Sequence, residues 1–151
     1  MDRANVTIHA TAVLTGAKAT LIRGPAGSGK SGLAWNLVGT GARSLLPLAR
    51  LVADDRACVE ARSGRLLVRP APELAGLIEI RGLGIRRIEF EPIAVVGLVV
   101  DLDAKDAGRL PEQEATTTEI CGVRLPRLGV AGGVPALSLV LAVHCTAPTG
   151  D

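Results

Sequence analysis

The chain has 151 residues, the usual size of one domain, and we expect a single domain over residues 1–151. Apolar residues make up 48% of it and only Trp35 and Phe90 are aromatic, so aliphatic side chains should fill the core. The net charge of the chain is only +2, and the 17 basic residues are scattered between Arg3 and Arg127. This distribution argues against nucleic acid or a membrane surface as a partner.

The cysteine pattern favours a reducing compartment. Cys58, Cys121 and Cys145 are widely spaced and form no CxxC pair, so neither a disulfide framework nor a zinc site is indicated. The first residues show no long apolar run behind a basic end, and the apolar stretch 134–143 is too short to span a bilayer. We therefore expect a soluble, cytoplasmic protein.

The first third of the chain is predicted to form two strands followed by a helix. Val6–Leu14 mixes β-branched and small residues, and Ala19–Ile22 is a short apolar run that ends at glycine and proline. Apolar residues at helical spacing predict a helix over Lys30–Val38, which Gly39 and Gly41 should end.

The remainder is predicted to be rich in strands and to close with a helix. We expect strands at Leu51–Ala53, Ile78–Ile80 and Ile93–Leu102, and a hairpin of Ala57–Ala61 and Arg65–Val68 around Ser63-Gly64. A helical turn is expected within Pro70–Leu77, and a polar stretch covers Asp103–Glu119. The chain should close with a helix over Val134–Val143 that has Pro135 in its first turn. These elements predict an α/β fold with a mixed sheet, and the glycine-rich segment GPAGSGKS between the second strand and the first helix makes it a P-loop kinase-type domain.

One motif carries the functional prediction. The segment GPAGSGKS matches the phosphate-binding pattern G-x-x-x-x-G-K-[ST] and lies between a predicted strand and a predicted helix, the context that this motif requires. Its glycines let successive N–H groups point at phosphate oxygens, and the helix adds the positive end of its dipole. The predicted nucleotide-binding residues are Gly24, Pro25, Ala26, Gly27, Ser28, Gly29, Lys30 and Ser31.

This motif predicts which residues bind the phosphates and the magnesium ion, but it does not identify the carboxylate that also binds the metal. Lys30 should reach the β and γ phosphates, and the Ser31 hydroxyl should ligate magnesium. A second carboxylate is needed near that metal, usually at the end of a neighbouring strand. Asp54-Asp55, after LVA, and Asp101, after GLVV, are both candidates.

A family resemblance favours the aspartate pair. The segments HATAVLTG, GPAGSGKS, LVADD and IEIRGLGI occur in this order and together resemble the catalytic domain of HPr kinase/phosphorylase, over residues from about 9 to at least 109. The resemblance implies a short form without the family's N-terminal domain. It also implies a bacterial enzyme that uses ATP and magnesium to phosphorylate a serine of HPr, the phosphocarrier protein of the sugar phosphotransferase system, and that assembles as a homohexamer.

Site residues follow from the resemblance position by position. It implies that His9 is the active-site histidine and that Glu79 is a further metal ligand. Of the aspartates, one takes the proton from the acceptor serine; we favour Asp55 as this base and leave Asp54 open both for that role and as a metal ligand. Arg109 matches an arginine of a mobile loop.

Three further questions stay open at the level of sequence. Many family members also remove the phosphate by phosphorolysis, but the Pro-Arg-rich turn linked to that reaction is represented only by Leu125-Pro126-Arg127, so kinase activity is favoured. A small-molecule kinase is an alternative that would need an acceptor pocket and a lid. A sensor that binds ATP without turnover is another alternative.

Overall fold

The computed structural model describes residues 5–42, 46 and 48–149. In chain order the elements are β1 (Asn5–Ile8), β2 (Ala10–Thr15), β3 (Lys18–Arg23), α1 (Lys30–Ala42), β4 (Ala49–Ala53), β5 (Ala57–Arg62), β6 (Arg65–Pro70), a 3₁₀ turn (Pro72–Leu74), β7 (Leu77–Ile80), β8 (Gly84–Arg87), β9 (Ala94–Leu102), a second 3₁₀ turn (Gln113–Thr116), β10 (Thr117–Ile120), β11 (Val123–Val130) and α2 (Ala136–Cys145).

Most of the strands join one mixed sheet. Within the described residues its order is β1-β5-β6-β9-β3-β2-β4, with β11 parallel to β9 and β10 antiparallel to β11, while β7 and β8 form a separate two-stranded hairpin. The long strand β9 pairs in parallel with β3 and β11 and antiparallel with β6, so it is the central strand of this arrangement.

The pairing brings the termini of five strands to one edge of the sheet. Because β3, β9 and β11 are parallel, their C-terminal ends lie together. Strand β2 is antiparallel to both β3 and β4, with Ala10 opposite Arg23 and Ala12 opposite Ala53. The start of β2 and the end of β4 therefore lie at the same edge as the end of β3, where the phosphate loop begins.

The core is aliphatic, as predicted. The buried apolar residues that the structure describes are all alanine, valine, leucine or isoleucine. Helix α1 presents Leu33, Ala34 and Leu37 to one face of the sheet, and Val140 of α2 packs into the same cluster. These contacts fix the start of α1, and with it the phosphate loop, against the sheet. No helix in the described part of the chain has both the length and the apolar character to cross a bilayer.

Several predicted boundaries are wrong. The predicted strand Val6–Leu14 is two strands, because β1 pairs with β5 whereas β2 pairs with β3 and β4, and the chain bends at His9 between them. The helix predicted over Lys30–Val38 continues to Ala42. The closing helix begins at Ala136, so Pro135 is its N-cap rather than a first-turn residue.

Three strands were not predicted. Strand β8 follows a turn at the glycine-rich end of β7, and β10 and β11 form a hairpin that begins inside the predicted polar stretch. The β10–β11 turn is Cys121-Gly122, both with positive φ (52° and 78°), as a type I′ hairpin requires. The same geometry at Ser63-Gly64, with φ of 52° and 76°, belongs to the hairpin that was predicted.

Candidate active site

The phosphate loop has the strand–loop–helix context that the sequence predicts. It leaves β3 after Arg23 and enters α1 at Lys30. Gly27 and Gly29 have φ of 81° and 100°, which side-chain-bearing residues rarely adopt. Gly24 is constrained by space, because a Cβ there would lie 2.5 Å from Ser28 Oγ. The loop backbone thus has the shape and the glycines of a phosphate-binding loop.

The ammonium group of Lys30 folds back over the loop. Its Nζ donates to the carbonyl oxygens of Gly24 at 2.8 Å and of Pro25 at 3.2 Å. This position lies at the mouth of the loop, so an incoming phosphate oxygen would meet the lysine charge directly.

Asp54 is the most constrained polar residue of the site. Its carboxylate follows β4, is 5% exposed and accepts three hydrogen bonds: from Ser31 Oγ at 2.6 Å, from Thr11 Oγ1 at 2.9 Å and from the backbone N–H of Glu79 at 3.0 Å. One carboxylate therefore joins the phosphate-loop helix to β2 and β7. The structure places Ser31 and Asp54 in direct contact.

Thr11 is a site residue that sequence reasoning missed. It is completely buried in β2, donates to Asp54 and accepts a hydrogen bond from the backbone N–H of Asp55 at 3.3 Å. The sequence offers little signal for this role, because Thr11 is one of two threonines in a mostly apolar strand and its partner lies 43 residues away.

Asp55 points into a cleft instead of the core. Its φ of 69° turns the chain away from the sheet, and its side chain is exposed. The cleft encloses about 880 Å³ and is bordered by the phosphate loop, Asp55, Glu79 and Arg81. The structure therefore brings the second aspartate, the predicted glutamate and Lys30 to one cleft.

The residues around Ser31 fit a magnesium ion bound to a nucleotide. Mg²⁺ prefers oxygen donors and usually takes one or two from the protein, the others coming from phosphates and water. Ser31 Oγ and the Asp54 carboxylate supply such donors, and Glu79 borders the same cleft. Across the described ranges 5–42, 46 and 48–149, no group of three or more His, Cys, Asp or Glu residues has the arrangement of a metal site.

Besides the buried Asp54, two predicted catalytic residues do not line the cleft. His9 is exposed at the bend before β2, at the sheet edge where the phosphate loop begins. Arg109 is exposed in the segment between β9 and the second 3₁₀ turn. Neither is among the cleft-lining residues that the structure describes.

The carboxylate of Asp101, the alternative metal ligand, accepts hydrogen bonds from two arginines. Arg23 donates to both of its oxygens at 2.7 and 2.8 Å, and Arg127 Nε donates at 2.6 Å. Partial burial raises the pKa of Asp101, but the hydrogen bonds and charges of these arginines outweigh that effect and hold the pKa below its ordinary value. A cation at Asp101 would have to displace these guanidinium groups, so the geometry favours Asp54.

Arg127 also belongs to a strand rather than to a Pro-Arg-rich turn. It lies within β11 and makes a bidentate ion pair with Asp106, at 3.0 Å from each of its terminal nitrogens. The pair ties the segment after β9 to the sheet.

Together the fold and the site define a class of protein. A strand, a glycine-rich phosphate loop and a helix stand next to a buried carboxylate that accepts from the loop serine, as in P-loop kinase-type domains.

The particular family follows from comparison with known proteins. The family model described as "HPr Serine kinase C-terminal domain" matches residues 4–132, and the chain belongs to this family. The HPr kinase/phosphorylase of Limosilactobacillus reuteri (strain DSM 20016) is 35% identical over 136 residues, covering 82% of this chain and 40% of that protein. The one from Caldicellulosiruptor bescii is 31% identical over 153 residues, covering 94% and 47%.

A solved structure shares the fold. The structure titled "Structure of the Hpr(Ser) kinase/phosphatase from Coxiella burnetii" superposes with a TM-score of 0.72 at 23% identity, covering 93% of this chain and 94% of that one. The chain spans less than half the length of the two curated relatives described above.

Proposed function

We propose that this protein is an ATP- and magnesium-dependent kinase that phosphorylates a serine of the phosphocarrier protein HPr. The observation that carries the proposal is the 2.6 Å contact between Ser31 Oγ and Asp54 beside a cleft bordered by Asp55. This contact supports a nucleotide site in which Asp54 binds the metal while Asp55 faces the acceptor. The family membership supports HPr as that acceptor.

The nucleotide would be held mainly by the backbone of residues 24–31. The N–H groups of the loop and the start of α1 bind the phosphate oxygens, and Lys30 exchanges its carbonyl partners for the β and γ phosphates. Ser31 and Asp54 would hold magnesium, with Glu79 as a further ligand. When bound, the ion offsets negative charge on the phosphates.

Asp55 would be the base. The acceptor serine oxygen forms a bond to the γ-phosphorus while the bond from that phosphorus to the bridging oxygen of ADP breaks. The serine proton passes to the Asp55 carboxylate, which is exposed to the cleft and can reach an incoming hydroxyl. We assign His9 and Arg109 to the active site because they match active-site residues of the family. His9 lies at the sheet edge beside the phosphate loop.

The cleft rim favours a protein acceptor over a small molecule. Leu83 and Ile85 are largely exposed on the β7–β8 hairpin, and the same hairpin carries three exposed basic residues, Arg81, Arg86 and Arg87. Exposed apolar side chains beside basic ones are typical of a protein-docking surface, whereas a small-molecule kinase would enclose its acceptor.

The remaining features of the proposal rest on the resemblance. We propose a cytoplasmic homo-oligomer, which the family resemblance implies is a hexamer. Kinase activity is favoured over phosphorolysis because the Pro-Arg-rich turn linked to phosphorolysis is represented only by Leu125-Pro126-Arg127.

The direct test is mass spectrometry of HPr after incubation with the protein and MgATP. One added phosphate on a serine is expected with the parent protein and none with Lys30→Ala. Asp55→Asn should bind MgATP normally and transfer at least about a hundredfold more slowly. Unmodified HPr with tight ATP binding would instead support a sensor.

A second test addresses docking. Replacing Leu83 and Ile85 together by serine should raise the KM for HPr and leave the affinity for MgATP unchanged. Val6→Ser, at an exposed valine of β1, is the matched control. An unchanged KM for HPr in the double variant would exclude the hairpin as the docking surface.

A further inference from the structure

The Arg127 side chain lies at the neck of the surface segment 106–115, here called the Arg109 loop. Its Nη1 and Nη2 donate to the two carboxylate oxygens of Asp106 at 3.0 Å each, and Nη1 also donates to the carbonyl oxygen of Ala115 at 2.9 Å. Asp106 and Ala115 stand at the two ends of the loop. One guanidinium group, only 12% exposed, therefore holds both ends together, as in compact surface loops whose ends are close.

The same arginine is linked to the start of the phosphate loop. Its Nε donates to Asp101 at 2.6 Å, and Arg23 donates to both oxygens of Asp101 at 2.7 and 2.8 Å. Arg23 directly precedes Gly24, the first glycine of the phosphate loop. Bidentate ion pairs fix direction as well as distance, so Asp101 and its two arginines set the neck of the Arg109 loop relative to the phosphate loop.

The sheet leaves space for this arrangement and the loop tip is open. Gly129 lies two residues after Arg127 on β11, and a Cβ there would lie 3.2 Å from Arg127 Nη1 and 3.4 Å from Asp106 Oδ1. At the tip Arg109 and Leu110 are exposed, Leu110 by 82%. The contacts of Arg127 thus hold the ends of the loop and leave its tip accessible to a substrate.

We infer that Arg127 and Asp106 are positioning residues that hold Arg109 for phosphoryl transfer, an inference that rests on the proposed function and on its assignment of Arg109 to the active site. Neither residue borders the cleft, so both act through Arg109. An arginine stabilises the charge on the transferred group only when its guanidinium is in place. A displacement of about 1 Å at such a group can cost about a hundredfold in rate, so a loop held loosely at its neck slows transfer.

A double-mutant cycle on HPr phosphorylation at saturating MgATP tests this role, with Asp106→Ala, Arg109→Ala and the double variant. The side chain of Asp106 is 53% exposed, so its removal should leave the fold intact. Asp106→Ala should lower kcat about tenfold and change the KM for MgATP less than about twofold. In the Arg109→Ala background the same substitution should change kcat less than about twofold, because the group that it positions is already absent.

Two further variants sharpen the cycle. Arg127→Lys keeps the positive charge but loses the planar fork that joins Asp106 to Ala115, and it should lower kcat as Asp106→Ala does. Glu114→Ala is the matched control, because this acid is exposed in the same loop and lies outside the Arg127 contacts; its kcat should equal that of the parent.

The kinetic outcomes that would overturn the inference are distinct. Equal losses from Asp106→Ala with and without Arg109 would show that Asp106 acts through folding alone. An unchanged kcat in Asp106→Ala, or in Arg109→Ala, would overturn the positioning role as well.

Limited trypsin digestion measures the hold on the loop without a kinase assay. Cleavage after Arg109 should be about fivefold faster in Asp106→Ala than in the parent, because local opening of the loop governs access of the protease. Cleavage after Arg81, exposed in the turn that follows β7, should keep its rate. Equal cleavage after Arg109 in both proteins would overturn the inference. A parent protein that adds no phosphate to HPr would instead refute the proposed function, with the trypsin result unaffected.

Discussion

The two adjacent aspartates at the end of β4 should differ in how much folding stability is lost when each is replaced by asparagine. Asp54 is buried and accepts three hydrogen bonds, whereas Asp55 is exposed in the cleft. Asp54→Asn and Asp55→Asn change one oxygen to an amino group at neighbouring positions, so any difference in folding stability arises from their surroundings.

The structure sets the size of the expected difference. In Asp54→Asn the new amino group must face either the N–H of Glu79 or the hydroxyls of Thr11 and Ser31, all of which donate to the carboxylate. One buried donor left unsatisfied costs about 1–3 kcal/mol. We expect Asp54→Asn to lower the free energy of unfolding by that amount and Asp55→Asn by less than about 0.5 kcal/mol.

Urea denaturation followed by far-ultraviolet circular dichroism measures this difference. For a small domain the slope is about 1–3 kcal/mol per molar urea, so the Asp54→Asn midpoint should fall by roughly 0.3–3 M while the Asp55→Asn midpoint changes much less. Equal midpoints for the two variants would refute the conclusion that Asp54 holds the phosphate-loop helix to the sheet. The proposed kinase activity should fall in both variants, so loss of turnover does not distinguish the two residues, whereas folding stability does.

Two further predictions concern the loop and the arginine pair. Gly24→Ala should weaken MgATP binding about tenfold or more in calorimetry, since its Cβ would lie 2.5 Å from Ser28 Oγ, whereas Gly39→Ala, with open space in α1, should bind normally. The pKa of Asp101 is lowered in the folded state, so its stabilisation is present above the ordinary pKa of 3.8 and is lost as the pH falls through the lower, folded-state value. Urea midpoints below about pH 4 should therefore fall more steeply in the parent than in Asp101→Asn, and parallel curves would contradict the role of the ion pairs.

The parts of the site that sequence predicts are those encoded locally. The phosphate loop is one continuous segment between a strand and a helix, so its motif and context could be read together. The Ser63-Gly64 hairpin was predicted because its two strands flank a recognisable turn. Cys121-Gly122 has the same positive φ values, but cysteine is not a typical turn residue, and the β10–β11 hairpin was missed.

The parts that sequence does not predict depend on distant pairing. Nothing near His9 indicates that the chain changes partner from β5 to β3 and β4, so one strand was expected where two occur. Asp101 resembled a metal-site acid because an apolar strand precedes it, and only the pairing of β9 with β3 and β11 brings Arg23 and Arg127 onto its oxygens.

The turn at the end of β4 gives two neighbouring acids very different surroundings. Asp54 still lies at the sheet edge, where Thr11 of the paired strand and Ser31 of the helix fix its carboxylate. The left-handed backbone of Asp55 then turns the chain outward, and this conformation disfavours most side chains but is tolerated by aspartate and asparagine. Under the proposed function, Asp55 must meet a serine on another protein and therefore has to stand in the open cleft, while Asp54 as a metal ligand works best when neighbours hold it rigidly. The strand end satisfies both requirements within two residues.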